Sequence, residues 1–215
     1  MKGILLKELY LLKKHCGIPL FCLLLFLVMA GGTMGEQSFM VFFPFMYASI
    51  IPVTPLSYDE MHKWDEYARI FPYTPAKLVL SKYLVGGVLQ IAVTLILLII
   101  SAVKMAMAGE VQVLKLVAMA GLGLLIGAAF GGFNLPFMFR FGVSKGRIAY
   151  YATLALSVGG CLVASAFFDV SFSPEIVRML SVGMPVLWLI PLFLAPLLYV
   201  GSYYLSVALY KKRYR

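Results

Sequence analysis

Of the chain's 215 residues, 62% are hydrophobic and 13% charged, with a mean hydropathy of +0.95, which excludes an ordinary water-soluble globule. The segments outside the apolar stretches are too short for a soluble catalytic domain. The net charge of +9 does not point to nucleic acid, because the 18 Lys and Arg are apportioned loop by loop in a membrane-like pattern.

Six stretches carry no Asp, Glu, Lys or Arg: 17–35, 37–58, 83–103, 116–139, 148–168 and 179–210. A helix rising about 1.5 Å per residue crosses the hydrocarbon in roughly 20 residues. No water is available there for unpaired backbone groups, so such runs read as helices. The expected fold is all-α integral membrane, one transmembrane domain over 1–215, with spans at about 17–34, 38–56, 80–103, 114–138, 148–168 and 184–209. Numbering the loops alternately from the N-terminus leaves only Lys104, Lys115 and Arg178 on one side. The positive-inside rule then puts both termini in the cytoplasm of a multi-pass protein.

In chain order, residues about 2–14 (KGILLKELYLLKK) are expected to form an N-terminal interfacial helix whose scattered lysines snorkel. The alternative is a simple basic flank of the first span. A cleavable leader ending near Ala30-Gly31-Gly32 fits loosely, but the charge pattern requires this segment to stay. A tight outer turn at Gly35-Glu36-Gln37 makes the first two spans a hairpin. Pro44, Pro52 and Pro55 kink or break the second near its inner end.

The longest inner loop follows. Ser57 and Glu60 have capping-box spacing, and Tyr58, Met61, Trp64, Ala68 and Phe71 recur at helical steps. Asp59, His62, Lys63, Glu66 and Arg69 fall opposite, and Phe71-Pro72 ends the run. An amphipathic helix over about 57–71 is expected along the inner surface. Its mixed charges suit a docking protein better than anionic lipid; an ordinary anchoring helix is the alternative.

Thr74-Pro75 reads as an N-cap and first helical residue of the third span. Gly123, Gly127 and Gly131 line one face of the fourth at four-residue spacing, a flat strip for close approach of another backbone. The second inner loop, 135–147, is punctuated by Pro136 and Gly142 and presents Arg140, Phe141, Lys145 and Arg147. Ser173-Pro174-Glu175 suggests a short outer interfacial helix. Pro185, Pro191 and Pro196 suggest bends in the last span, and YKKRYR an inner anchor.

No catalytic or metal constellation is present. His15 and His62 are isolated, Cys16, Cys22 and Cys161 lie at or in apolar runs, and only Gln90 and Asn134 add amide groups to the spans. The absence of intramembrane charge argues against an ion-driven transporter or a membrane enzyme.

Three patterns together resemble a known family: KGILLKEL at 2–9, the D-E-x-x-x-W-D-x-Y-A…K-Y pattern from Asp59 to Tyr83, and L-P-x-x-F-R-F-G-x-x-K-G-R from Leu135 to Arg147. With the hydropathy profile they resemble membrane subunits of ATP-binding-cassette exporters of the type 2 permease class, especially the six-span group related to bacterial peptide-toxin exporters. The resemblance implies a permease of the bacterial cytoplasmic membrane, working with a second permease subunit, identical or not, and a separate cytosolic ATPase. It makes 57–71 a coupling helix, with Asp59, Glu60, His62, Lys63, Trp64, Glu66, Tyr67 and Arg69 as ATPase contacts. The chain has no GxxxxGK[ST] phosphate loop, so ATP and magnesium would sit on the partner and no cofactor on this chain. Uncharged spans suit an amphipathic or hydrophobic cargo; the resemblance favours peptide. A membrane scaffold or immunity protein and a stand-alone secondary transporter are the competing readings.

Overall fold

The computed structural model describes residues 2–33, 43–68, 70–71, 73–107, 109, 113–167 and 189–213, and among these the regular structure is entirely helical. Helices α1 (Lys2–His15) and α2 (Gly17–Thr33) meet at a 76° bend around the fully buried Cys16. Pro19 has no N–H for the His15 carbonyl, which interrupts the ladder where the chain turns.

Prolines also divide the next stretch into α3 (Phe43–Ala48), a turn at 49–52 and α4 (Val53–Met61). Pro52 and Pro55 cannot donate to the carbonyls of Ala48 and Ile51. Those carbonyls accept tighter i+3 bonds from Ile51 (3.4 Å) and Thr54 (3.1 Å). The Met46 carbonyl near the end of α3 accepts from the hydroxyls of Ser49 (2.6 Å) and Tyr150 (2.9 Å). The second span expected over 38–56 is therefore broken within its described part.

The helix expected over 57–71 differs more. It starts four residues earlier, with Ser57 inside α4 and Pro52 at the N-cap making no side-chain cap. It also stops at Met61, and α5 (Trp64–Ala68) follows a turn in which Lys63 takes a left-handed φ of 51°. The expected apolar stripe does not form one face: Ala68 is buried, whereas Met61 and Phe71 are exposed.

Among the described residues four long helices follow: α6 (Pro75–Met107), α7 (Val113–Phe141), α8 (Val143–Phe167) and α9 (Ile190–Arg213). Among the described residues α6, α7 and α9 are long and apolar enough to cross a membrane, and the bent α1–α2 pair makes a fourth if counted as one span. The expected six spans are thus seen in part. The turn at 35–37, the segment 169–183 and the surroundings of Pro185 lie outside the described residues.

Helix α7 is the centre of the fold, packed along α9 and flanked by α6, α8 and α3. Its glycine strip receives side chains more than backbone. A Cβ on Gly123 would lie 2.3 Å from the ring of Phe45, and one on Gly127 would lie 2.0 Å from Gln90 Nε2. Gly131 faces Ser49 and Tyr199 at ordinary contact distance. Apolar clusters join α1, α2, α3 and α6 around Phe45 and Leu97; α3, α4, α7 and α8 around Met138 and Tyr150; and α6, α7 and α9 around Tyr83 and Leu135.

Pro136 sits inside α7 without breaking it. Its missing N–H leaves the Gly132 carbonyl open, and Ser202 of α9 donates to that oxygen at 2.5 Å. Because Ser202 spends its one proton there, the 2.7 Å bond to Tyr83 has the tyrosine as donor, and Ser206 donates to Tyr83 in turn. The hydroxyl of Tyr199 donates to the Tyr83 carbonyl at 2.8 Å. A chain of hydroxyls thus stitches α6, α7 and α9 where apolar packing alone would leave carbonyls open.

Candidate functional site

At the end of the fold carrying Lys7, Lys82 and Arg140, three segments far apart in sequence converge. Glu8 of α1, Asp59 of α4 and Lys82 of α6 are almost fully buried, and Lys7 of α1 closes a ring of alternating charge with them. Lys82 Nζ lies 2.7 and 2.6 Å from the two Glu8 oxygens and 2.5 Å from Asp59 Oδ2. Lys7 Nζ lies 2.5 Å from Asp59 Oδ1 and 3.4 Å from Glu8 Oε1. Two cations and two anions cancel, which is what permits Glu8, Asp59 and Lys82 to leave water while Lys7 stays partly exposed at the edge of the ring. Lys7 also sits 4.2 Å from the centroid of the Trp64 ring, adding α5 to the cluster through a cation–π contact.

The neighbouring carboxylate points elsewhere. Glu60 Oε2 accepts the backbone N–H of Val143, the first residue of α8, at 2.6 Å. A carboxylate at a helix start answers an unpaired N–H and favours the helix dipole. Gly142, with φ of 88°, is the single non-helical residue between α7 and α8, and its N–H closes on the Met138 carbonyl at 2.9 Å. Gly146 permits the tight corner, since a Cβ there would lie 2.2 Å from Met138 Cγ. The region 135–147, read from sequence as a loop, is therefore two helices abutting at one glycine.

These positions correct the expected docking surface. Asp59 does not face outward, because three charged partners hold it inside, and Glu60 is occupied by α8. Trp64 is half-buried over Lys7. His62, Lys63, Glu66 and Tyr67 do lie exposed, with Lys63 and Glu66 in a loose 4.0 Å pair. Arg69 lies outside the described residues. Arg140, Phe141, Lys145 and Arg147 are exposed at the α7–α8 corner, with Arg140 stacked 4.9 Å from the Phe141 ring. An open cleft of about 410 Å³ separates α1 from α4, lined by Lys7, Lys14, His15, Tyr58 and Trp64 among others. Among the described residues no cluster of His, Cys, Asp or Glu could hold a metal ion.

The family model described as ABC-2 family transporter protein matches residues 3–211, nearly the whole chain. The chain belongs to the ABC-2 transporter family. It is an ABC-2 type permease, a multi-pass membrane component that by family membership associates with an ABC ATPase. No curated protein and no solved structure gives a significant match. The sequence patterns that carried the family resemblance are the ones the fold of the permease brings together. Lys7 and Glu8 come from the first, Asp59, Glu60, Trp64 and Lys82 from the second, and Gly142 and Val143 from the third. Sequence reading singled out Asp59 and Glu60 but missed Lys7, Glu8 and Lys82, whose only signal was that charged residues recurred inside those patterns.

Proposed function

We propose that this permease is the membrane subunit of an ATP-driven exporter of amphipathic or hydrophobic cargo, with peptide the favoured class. In this reading α4–α5 is where the ATPase docks. The observation that carries it is the two-sided character of this segment. One side is gripped by α1 and α6 through the buried Asp59 and by α8 through the partly buried Glu60, while His62, Lys63, Glu66 and Tyr67 project outward with both signs of charge. A displaced α4–α5 would pull on several helices at once, as rigid-body switching requires. The exposed Arg140, Lys145 and Arg147 at the α7–α8 corner extend the docking surface.

ATP and magnesium bind to the ATPase, and a second permease subunit completes the pathway in a bacterial cytoplasmic membrane, both termini facing the cytosol. Spans without charges favour a cargo that does not demand ion-like solvation.

The test is co-purification of the detergent-solubilised permease with its host's ABC ATPase. Glu66→Lys reverses one exposed charge and should reduce retained ATPase roughly tenfold, the scale of a rim charge pair worth about 1 kcal/mol or slightly more. Insertion and elution volume should not change. Retention of the full ATPase complement by Glu66→Lys and by a Lys63→Glu/Tyr67→Ala variant would remove α4–α5 from the docking site.

A further inference from the structure

We infer that the buried ring of Lys7, Glu8, Asp59 and Lys82 is the transmission between the docking segment and the helices behind it, with Glu8, Asp59 and Lys82 as positioning residues for energy coupling. This rests on the docking reading above.

Helix α4 is poorly suited to transmit movement through its own backbone. It follows a proline turn, and beyond it lie the Lys63 left-handed turn and the short α5. Through the chain, Asp59 reaches α6 only by way of this broken path to Pro75. Through side chains, Asp59 reaches Lys82 directly at 2.5 Å, and Lys82 holds both oxygens of Glu8 on α1. The side-chain route is the short and stiff one. It makes α1, α4 and the start of α6 one body, while the adjacent Glu60 grips α8.

Stability alone does not account for charged groups in this place. Apolar residues of like volume usually hold helices together at least as well as a buried ion ring, which must first lose its hydration. What the ring adds is register: each lysine has one geometry that satisfies both its carboxylates, so α4 cannot slide along α6 or α1 without stranding a charge. A shift of α4 imposed by the ATPase is therefore passed to both helices or resisted by both.

The experiment separates charge balance from transmission. Lys82→Met leaves the ring with an excess negative charge and should lower thermal stability. Glu8→Gln/Lys82→Met removes one charge of each sign, keeps the Lys7–Asp59 pair and should recover most of that loss. The variants are reconstituted with the ATPase in nanodiscs, with spin labels at the exposed positions 107 on α6 and 193 on α9, a helix outside the body that the ring unites. ATPase binding by the paired variant should match that of the unaltered permease. The distance change on trapping ATP with vanadate should disappear, and the permease-dependent change in ATPase rate should shrink roughly fivefold or more. Should the paired variant fail to assemble, Glu8→Gln alone keeps an acceptor for Lys82 and should show a smaller loss of the same two signals. Unchanged signals in the best-folded variant would make the ring merely structural and overturn the inference. Absence of ATPase binding by the unaltered permease would overturn the docking reading, and this inference with it.

Discussion

Replacing Gly123 by alanine tests the packing at the centre of the fold. The added Cβ would lie 2.3 Å from Phe45 Cζ and 2.5 Å from both Cε atoms, whereas carbon atoms rest at about 3.5–4.0 Å. The ring must withdraw by more than about 1 Å. Phe45 has no exposed surface and is enclosed by Ala48, Ile51, Val93 and Leu97, so withdrawal means moving α3. Overpacking of this kind costs about 1–3 kcal/mol, against which alanine's better helix propensity returns up to about 1 kcal/mol. Gly201→Ala isolates that propensity, because nothing lies within 4 Å of its Cβ position. In lipid, helix association depends on van der Waals fit, so no hydrophobic gain conceals the clash. Unfolding in mixed micelles should show Gly123→Ala less stable than Gly201→Ala by about 1–3 kcal/mol. Phe45→Leu should be destabilising alone yet relieve Gly123→Ala, a coupling of about 1 kcal/mol or more in a double-mutant cycle. Equal stability of the two alanine variants, or additivity with Phe45→Leu, would refute the close approach of α3 to α7.

Ser202→Ala should cost about 0.6–1.7 kcal/mol by stranding the Gly132 carbonyl. The cost should fall when Pro136→Ala restores a backbone donor to that carbonyl, so equal effects in both backgrounds would contradict the assignment. Glu60→Ala should expose the start of α8, a loss of about 0.5–2 kcal/mol for a helix cap. Hydrogen exchange should accelerate at Val143 while the middle of α8 keeps its protection; unaltered exchange at Val143 would show that the carboxylate is not its partner. These join the docking test with Glu66→Lys and the ring test with Glu8→Gln/Lys82→Met.

The effects of Pro52, Pro55 and Pro75 were legible in the chain for a local reason, the loss of a specific donor, whereas Pro136 and Pro196 lie inside continuous helices. Pro52 and Pro55 announced the broken second span, and Thr74-Pro75 the start of α6. Pro136 and Gly142 look alike as punctuation but behave differently. A serine on α9 repairs the hydrogen bond Pro136 deletes, while Gly142 alone supplies the left-handed corner. No local pattern encodes Ser202, so the continuity of α7 was invisible.

The docking segment shows the same division. Helical spacing separated apolar from charged positions, but which charges would be buried depended on partners 52 and 23 residues away. Asp59 and Glu66 look equivalent in sequence, yet one sits among two lysines and a glutamate and the other in water.

Read as a chain of residues, the protein is already a helical membrane protein, because bilayer thickness and backbone hydrogen bonding leave long apolar runs no other form, whereas its likeness to type 2 permeases rested on the patterns at 2–9, 59–83 and 135–147. The tertiary structure alone decided that α1, α4 and α6 share one neutral ring of charge and that Glu60 holds α8. Hydropathy is a property of each residue, whereas the burial of a charge depends on whichever opposite charge the fold brings within reach.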